Sequence, residues 1–170
     1  MTDIASHRGG ALLWPENSRI AFENTARLPV QQVEFDLHPS GDGQLVVIHD
    51  PTLDRTTDGK GPVAEHDWSD LKHVTLKAAN GQGLLLFEDV VDIFRPTEIL
   101  LRIELKVDPQ GHPYPGLPSR LAAALDRTGM AERSIVTSFQ LETVAEAFAL
   151  ARTSTAVWLL SPAVLRDIGG

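Results

Sequence analysis

Residues 32–49 read QVEFDLHPSGDGQLVVIH, and the alternation in their first half decides what the chain can fold into. Val33, Phe35 and Leu37 fall on one side of an extended strand, and Glu34 and Asp36 on the other, because successive side chains point to opposite faces. Such a strand needs an apolar environment on one face and a charged one on the other. In a parallel barrel the apolar set packs on outer helices and the charged set points into the mouth. The segment Arg102–Lys106 (RIELK) repeats the design, with Ile103 and Leu105 facing one way and Glu104 and Lys106 the other.

Outward from these two segments, β-like runs alternate with helix-like runs. The pattern predicts strands over 3–7, 32–38, 44–49, 99–105, 134–138 and 155–160. It predicts helices over 18–28, capped by Asn17 or Ser18, over 87–94, from about Ser119 to Thr128 with Gly129 as the stop, and over 142–151. Pro162 is placed to open one further turn. Residues 51–83 are rich in Thr, Asp and Gly and read as an insertion with one short helix near 68–72. Strands alternating with helices imply βαβ units and a parallel sheet. Barrels and open α/β sheets both place their sites at the C-terminal ends of such strands.

One connection strains this scheme. Only about seven residues separate Leu37 from Leu45, whereas a parallel crossover takes a dozen or more. Seven extended residues span roughly 23 Å, enough to descend the outside of a barrel without a helix. The rival is an antiparallel hairpin turning within Ser40–Gly43, which would send Asp36 and His49 to opposite strand ends. The parallel descent is preferred because it joins them.

Composition bounds the function. The chain has 170 residues, 42% hydrophobic and 22% charged, with a net charge of −8, which fits one soluble domain. An acidic balance argues against nucleic-acid binding and against a polybasic membrane-surface module. Without cysteine there are no disulfides and no thiolate metal sites. No leader-like start and no run near the ~20 residues of a membrane span is visible. The expectation is a cytoplasmic protein with no membrane anchor.

Five residues then stand out: His7, Glu34, Asp36, His49 and Glu104. Buried carboxylates facing one another are costly unless a cation balances them. Three oxygen donors with no cysteine suit a hard ion such as Mg²⁺ or Ca²⁺. Two strand-end imidazoles fit a general acid and a general base on either side of a phosphodiester. Arg8 suits phosphate recognition, and Lys106 could reach phosphate or a carboxylate. His38, His66, His73 and His112 lie in loop-like or insertion contexts and read as surface residues.

Taken in order, HRG at His7–Gly9, PEN at Pro15–Asn17, E-x-D at Glu34–Asp36, VVIHDPTLDRTTDG at Val46–Gly59, IELK at Ile103–Lys106 and TSF at Thr137–Phe139 resemble the glycerophosphodiester phosphodiesterase family. The resemblance covers nearly the whole chain. It implies a TIM (β/α)8-type barrel with a small insertion after strand 3, matching 51–83. It implies hydrolysis of glycerophosphodiesters such as glycerophosphocholine or glycerophosphoethanolamine to glycerol 3-phosphate and an alcohol. By motif, Glu34, Asp36 and Glu104 correspond to metal ligands for one Mg²⁺ or Ca²⁺, and His7 and His49 to the acid–base pair. Arg8 and Lys106 correspond to phosphate contacts, and Asn17 to a residue steadying the first loop.

The departure is length. A TIM barrel takes ~250 residues, so residues 1–170 read as a single partial barrel domain, truncated after about strand 6 and lacking the late segment that supplies a Trp near the family's site. A second copy or another chain could cover the open edge, the former making a homo-oligomer. The competing readings are a lysophospholipase D-type phosphodiesterase and a non-catalytic binding or assembly fragment.

Overall fold

The computed structural model describes residues 2–151, 153 and 155–161; the turn expected at Pro162 lies outside them. Seven strands form one sheet: β1 (Ala5–Ser6), β2 (Gln32–Pro39), β3 (Leu45–Val47), β4 (Leu85–Leu86), β5 (Leu100–Leu105), β6 (Ser134–Ser138) and β7 (Thr155–Trp158). Five of them, β1-β2-β5-β6-β7, are parallel neighbours in that order. Helices α1 (Arg19–Thr25), α3 (Phe87–Phe94), α4 (Leu117–Thr128) and α5 (Leu141–Ala151) connect them, and α2 (Trp68–Leu71) lies in the insertion. The arrangement is a TIM-barrel-type fold, seen among the described residues as an arc of parallel strands with helices on its outer face.

The alternation in β2 explains the layering. Val33, Phe35 and Leu37 are fully buried in one apolar cluster with Phe22 of α1, Phe87 and Phe94 of α3, and Leu121 of α4. The rings of Phe22 and Phe35 meet edge-on, centroids 5.9 Å apart, a geometry aromatic pairs favour. Helix starts follow local chemistry. The Ser18 hydroxyl accepts the N–H of Ala21 at 3.2 Å, capping α1. The Asp89 carboxylate accepts the N–H of Leu86 at 2.9 Å, satisfying a free donor at the start of α3. Helix α4 begins at Leu117 rather than Ser119, because Pro118 is compatible with a first helical turn. Strand β4, only two residues long, was not expected; so short a run carries no periodicity.

The parallel descent is overturned. β3 runs antiparallel to β2, with Leu37 opposite Val47 and Pro39 opposite Leu45. The hairpin nevertheless joins the site, because β2 outruns the barrel. β2 pairs with β5 only from Gln32 to Leu37, and its last residues rise beyond to meet β3. On its other edge β2 pairs with β1 at Gln32 and Val33 and then with β3 from Leu37 onward. Asp36 therefore sits inside β2, not at its end, and the returning strand passes it: the N–H of Ile48 donates to the Asp36 carbonyl at 3.1 Å. Glu34 and Asp36 lie where the neighbour of β2 changes, a fork that leaves room for other loops.

The insertion has its own core. Val46 and Ile48 of the returning segment pack with Leu53, Val63, Leu71 and Leu76, whereas Leu45 and Val47 face the main cluster. A strand covered on both faces reads as an unbroken apolar run, which is why LVVI shows no alternation.

Candidate active site

The fork collects the acidic residues. Glu34, Asp36 and Glu104 are all buried, and one carboxylate oxygen of each lies within 4.8 Å of the others. Asp36 and Glu104 are direct partners across the β2–β5 ladder. Burial first, then the charges of Asp36 and Glu104, push the Glu34 carboxyl up to about 8. Glu34 Oε1 and Asp36 Oδ1 are buried without a hydrogen-bond donor. Three buried carboxylates this close, with Glu34 Oε1 lacking any donor and Asp36 Oδ1 met only by the Lys106 ammonium at 3.4 Å, have the character of an oxygen-ligand cation site. Three oxygens up to 4.8 Å apart lie within about 2.8 Å of a common centre, so a small inward movement brings all three to the bonding distance of a hard divalent ion.

The first loop is tied to this cluster. The N–H of Arg8 donates to Glu34 Oε2 at 2.8 Å, and the Asn17 amide donates to Asp36 Oδ2 at 2.8 Å. Arg8 and Asn17 both have left-handed backbones, φ 49° and 52°, a conformation that costs non-glycine residues energy and persists where surrounding contacts enforce it. Gly9, at φ +73°, is required for a second reason: a Cβ there would lie 2.8 Å from the Phe22 ring. Asn17 therefore holds an acidic side chain directly.

The cations gather around the carboxylates. Lys106 Nζ donates to Glu104 Oε1 at 2.8 Å and lies 3.4 Å from Asp36 Oδ1. Arg8 Nε lies 3.6 Å from Asp36 Oδ2, and its Nη1 is 3.3 Å from Glu16. His7 Nε2 is 3.9 Å from Glu34 Oε2 and its ring is largely exposed; burial, then Arg8, lowers its pKa. His7, Arg8, Glu34, His49, Glu104 and Lys106 line one cavity of about 350 Å³, closed on the β6–β7 side by Thr137, Phe139 and Leu159. All eight residues singled out from the sequence thus converge: six line the cavity, and Asp36 and Asn17 bond directly beneath it.

Three residues of the site, Glu16, Asp50 and Arg55, went unread in the sequence, and His38 was misread. Asp50 Oδ1 accepts from His49 Nδ1 at 2.6 Å, leaving Nε2 as the ring nitrogen available for chemistry; the tautomer follows because a carboxylate only accepts. Arg55 donates to Asp50 from Nε at 2.5 Å and to Glu16 from Nη2 at 2.6 Å. The adjacency of Asp to His in VVIHD was the available signal. His38, expected on the surface, is fully buried. Its Nε2 lies 3.1 Å from the His49 carbonyl and its Nδ1 3.1 Å from the Tyr114 hydroxyl. The carbonyl can only accept, so Nε2 carries the proton and Nδ1 receives the phenol's. Burial pushes His38 down to about 4, so it is a neutral strut beneath the His49 backbone. Its place two residues beyond Asp36 on the same strand face was the signal. His66 is half-buried, its Nε2 3.0 Å from the Lys60 carbonyl, while His73 and His112 are exposed as expected.

Comparison with known proteins identifies the family and the fold. A model of the Glycerophosphoryl diester phosphodiesterase family matches residues 7–166. The Bacillus subtilis protein YqiK is 32% identical over 150 residues, covering 85% of this chain and 61% of that protein. A glycerophosphodiester phosphodiesterase of Bacillus altitudinis is 32% identical over 145 residues, 82% of this chain and 58% of that protein. A crystal structure from Agrobacterium tumefaciens carrying the family's name superposes with a TM-score of 0.94 at 37% identity, covering 99% of this chain and 68% of that one. The chain thus spans about three fifths of the length of these curated relatives.

Proposed function

Because this chain belongs to the glycerophosphoryl diester phosphodiesterase family, we propose that its strand-fork site hydrolyses glycerophosphodiesters to glycerol 3-phosphate and an alcohol. The observation that carries the reading is the convergence of three buried carboxylates, with Glu34 Oε1 lacking a donor, beside two histidines in one cavity. Glu34, Asp36 and Glu104 would hold one divalent cation, Mg²⁺ or Ca²⁺. When bound, such an ion offsets charge developing on the nonbridging phosphoryl oxygens. Arg8 would orient the phosphate through its guanidinium, and Lys106 would turn from Glu104 to share that task once the cation offsets the acids.

The chemistry asked of the chain is proton movement. The attacking hydroxyl, from the substrate's own glycerol or from water, gives its proton to one imidazole, and the other hands a proton to the departing alkoxide. His49 is prepared for this by Asp50, which fixes its Nδ1 proton and stabilises the ring when it becomes cationic, the role of an acid partner in hydrolytic triads. A cytoplasmic setting and a small soluble substrate accompany the reading.

The test is release of glycerol 3-phosphate from glycerophosphocholine with Mg²⁺ or Ca²⁺ supplied or chelated. Chelation should abolish release, and His7→Ala and His49→Ala should each lower kcat by about 10²–10⁴-fold, the range for a positioned acid or base. Full turnover in both variants would refute the roles. A lysophospholipase D-type activity has one feature in its favour: Leu12 and Leu13 are exposed beside His7, the first completely so. Faster turnover of lysophosphatidylcholine than of glycerophosphocholine would select it. Binding of metal and phosphodiester with no turnover would instead favour a ligand-holding module.

A further inference from the structure

We propose that Arg55 is a positioning residue that locks the two histidine-bearing loops to each other, gripping Asp50 behind His49 with one edge of its guanidinium and Glu16 behind Arg8 with the other. Nε and Nη2 reach the two Asp50 oxygens at 2.5 and 2.9 Å. Nη1 and Nη2 reach the two Glu16 oxygens at 3.1 and 2.6 Å. Both carboxylates are thus held in a fork, the geometry that gives arginine its directional strength.

Each carboxylate passes the constraint inward. Asp50 holds His49 Nδ1 at 2.6 Å. Glu16 accepts from Arg8 Nη1 at 3.3 Å through both oxygens, and Arg8 follows His7 in the chain. The loop after β1 and the loop after β3 have no strand ladder between them at this level, since β1 and β3 meet β2 at separate stretches. One guanidinium therefore spans the fork in β2 from above. The electrostatics agree with the geometry. Arg55, ahead of His49, holds the Asp50 carboxyl well below the usual carboxylate range. Burial pushes Glu16 up, but Arg55 and then Arg8 outweigh it and leave it lowered. Arg55 does not line the cavity, and its side-chain hydrogen bonds go to Asp50 and Glu16, so its effect passes through those two carboxylates. Lysine cannot replace it, because one ammonium lacks the planar fork that serves two carboxylates at once.

The inference rests on the assignment of His7 and His49 as the acid–base pair, and its test has a readout outside catalysis. In nitrogen-15 imidazole spectra of the whole chain, wild-type His49 should show a protonated, slowly exchanging Nδ1. Arg55→Ala should lose that signature, while His38, bonded to Tyr114 and to the His49 carbonyl, keeps its Nε2-protonated form as proof of folding. On glycerophosphocholine, Arg55→Ala should lower kcat about 10- to 100-fold, as for partners that orient a functional ring. Added guanidinium should restore part of the rate and the His49 signal. Arg55→Lys should fold as wild type and still lose the signature; it decides the matter if Arg55→Ala does not fold. An unchanged His49 ring in a folded Arg55 variant overturns the inference and leaves the phosphodiesterase reading intact. A wild type that hydrolyses no glycerophosphodiester, with the His49 ring released on substitution, overturns that reading and leaves the clamp standing.

Discussion

Glu34 is the side chain at which the proposed cation site is most directly tested. Its carboxyl is pushed up to about 8 by burial and then by Asp36 and Glu104, so at pH 7 it carries a proton that a bound cation must expel. Apparent affinity for Mg²⁺ or Ca²⁺ should therefore rise with pH toward about 8 and level above it. Calorimetry at pH 7 in buffers of different ionisation enthalpy should register proton release, and Glu34→Gln should remove that release while weakening binding. His38 makes an opposite kind of prediction. Its folded pKa, lowered to about 4 from the 6.5 of a free ring, leaves full stability in place above pH 6.5. Stability is lost as pH falls from 6.5 toward 4, because only the unfolded chain takes up the proton in that window. The gap corresponds to about 3 kcal/mol. Urea titrations of His38→Gln, which keeps a donor toward the His49 carbonyl, should show a flatter acid limb than wild type. The residue looked superficial because Pro39, Ser40 and Gly41 follow it at once. Its burial depends on β3 and Tyr114 closing over it, and neither is local to His38.

At the scale of elements, the strands whose two faces meet different surroundings were legible. β2, β5 and β6 fall within a residue or so of expectation, and α3 coincides with it. β1 is shorter, giving way at His7 to a turn whose left-handed Arg8 and Gly9 turn the chain back toward α1. The packing of that turn yields a further prediction. In Gly9→Ala, the new methyl would meet the Phe22 ring at 2.8 Å from a backbone at φ +73°. The expected loss is about 1–3 kcal/mol, read as a lower urea midpoint at unchanged slope. The direction of β3 was misjudged for a physical reason. Chain length allowed either descent or hairpin, and the choice hinged on whether Asp36 ended its strand. A strand end is set by where neighbours stop pairing, which the alternation within β2 does not encode.

At the scale of the whole molecule, the described residues form two apolar cores joined through 45–48, since Leu45 and Val47 belong to the barrel cluster and Val46 and Ile48 to the insertion. The catalytic candidates divide between the two bodies: His7, Glu34, Asp36 and Glu104 sit on the barrel, and His49, Asp50 and Arg55 lead into the insertion. Leu121→Ala, emptying a fully buried position of the barrel cluster, should cost about 2–5 kcal/mol of global stability. Leu53→Ala, in the insertion core, should instead raise hydrogen exchange around 46–76 and lower kcat more than it lowers Tm, because it loosens the body that carries His49. No helix among the described residues is long and apolar enough to cross a membrane.

By itself the sequence determined which residues carry charge on a strand face and which carry apolar bulk. From that followed the parallel arc, its outer helices, the acidic triad and both histidines. Period-two alternation and local caps act over a few residues, and short-range physics suffices to read them. Only the tertiary structure decided that β2 overruns its sheet, that β3 returns antiparallel beside Asp36, that His38 is a buried strut, and that Arg55 joins Glu16 to Asp50. The hairpin is local, but its register against the site is set by where β5 stops pairing with β2; the buried His38 and the Arg55 link depend on Tyr114 and Glu16, segments far apart in the chain from them.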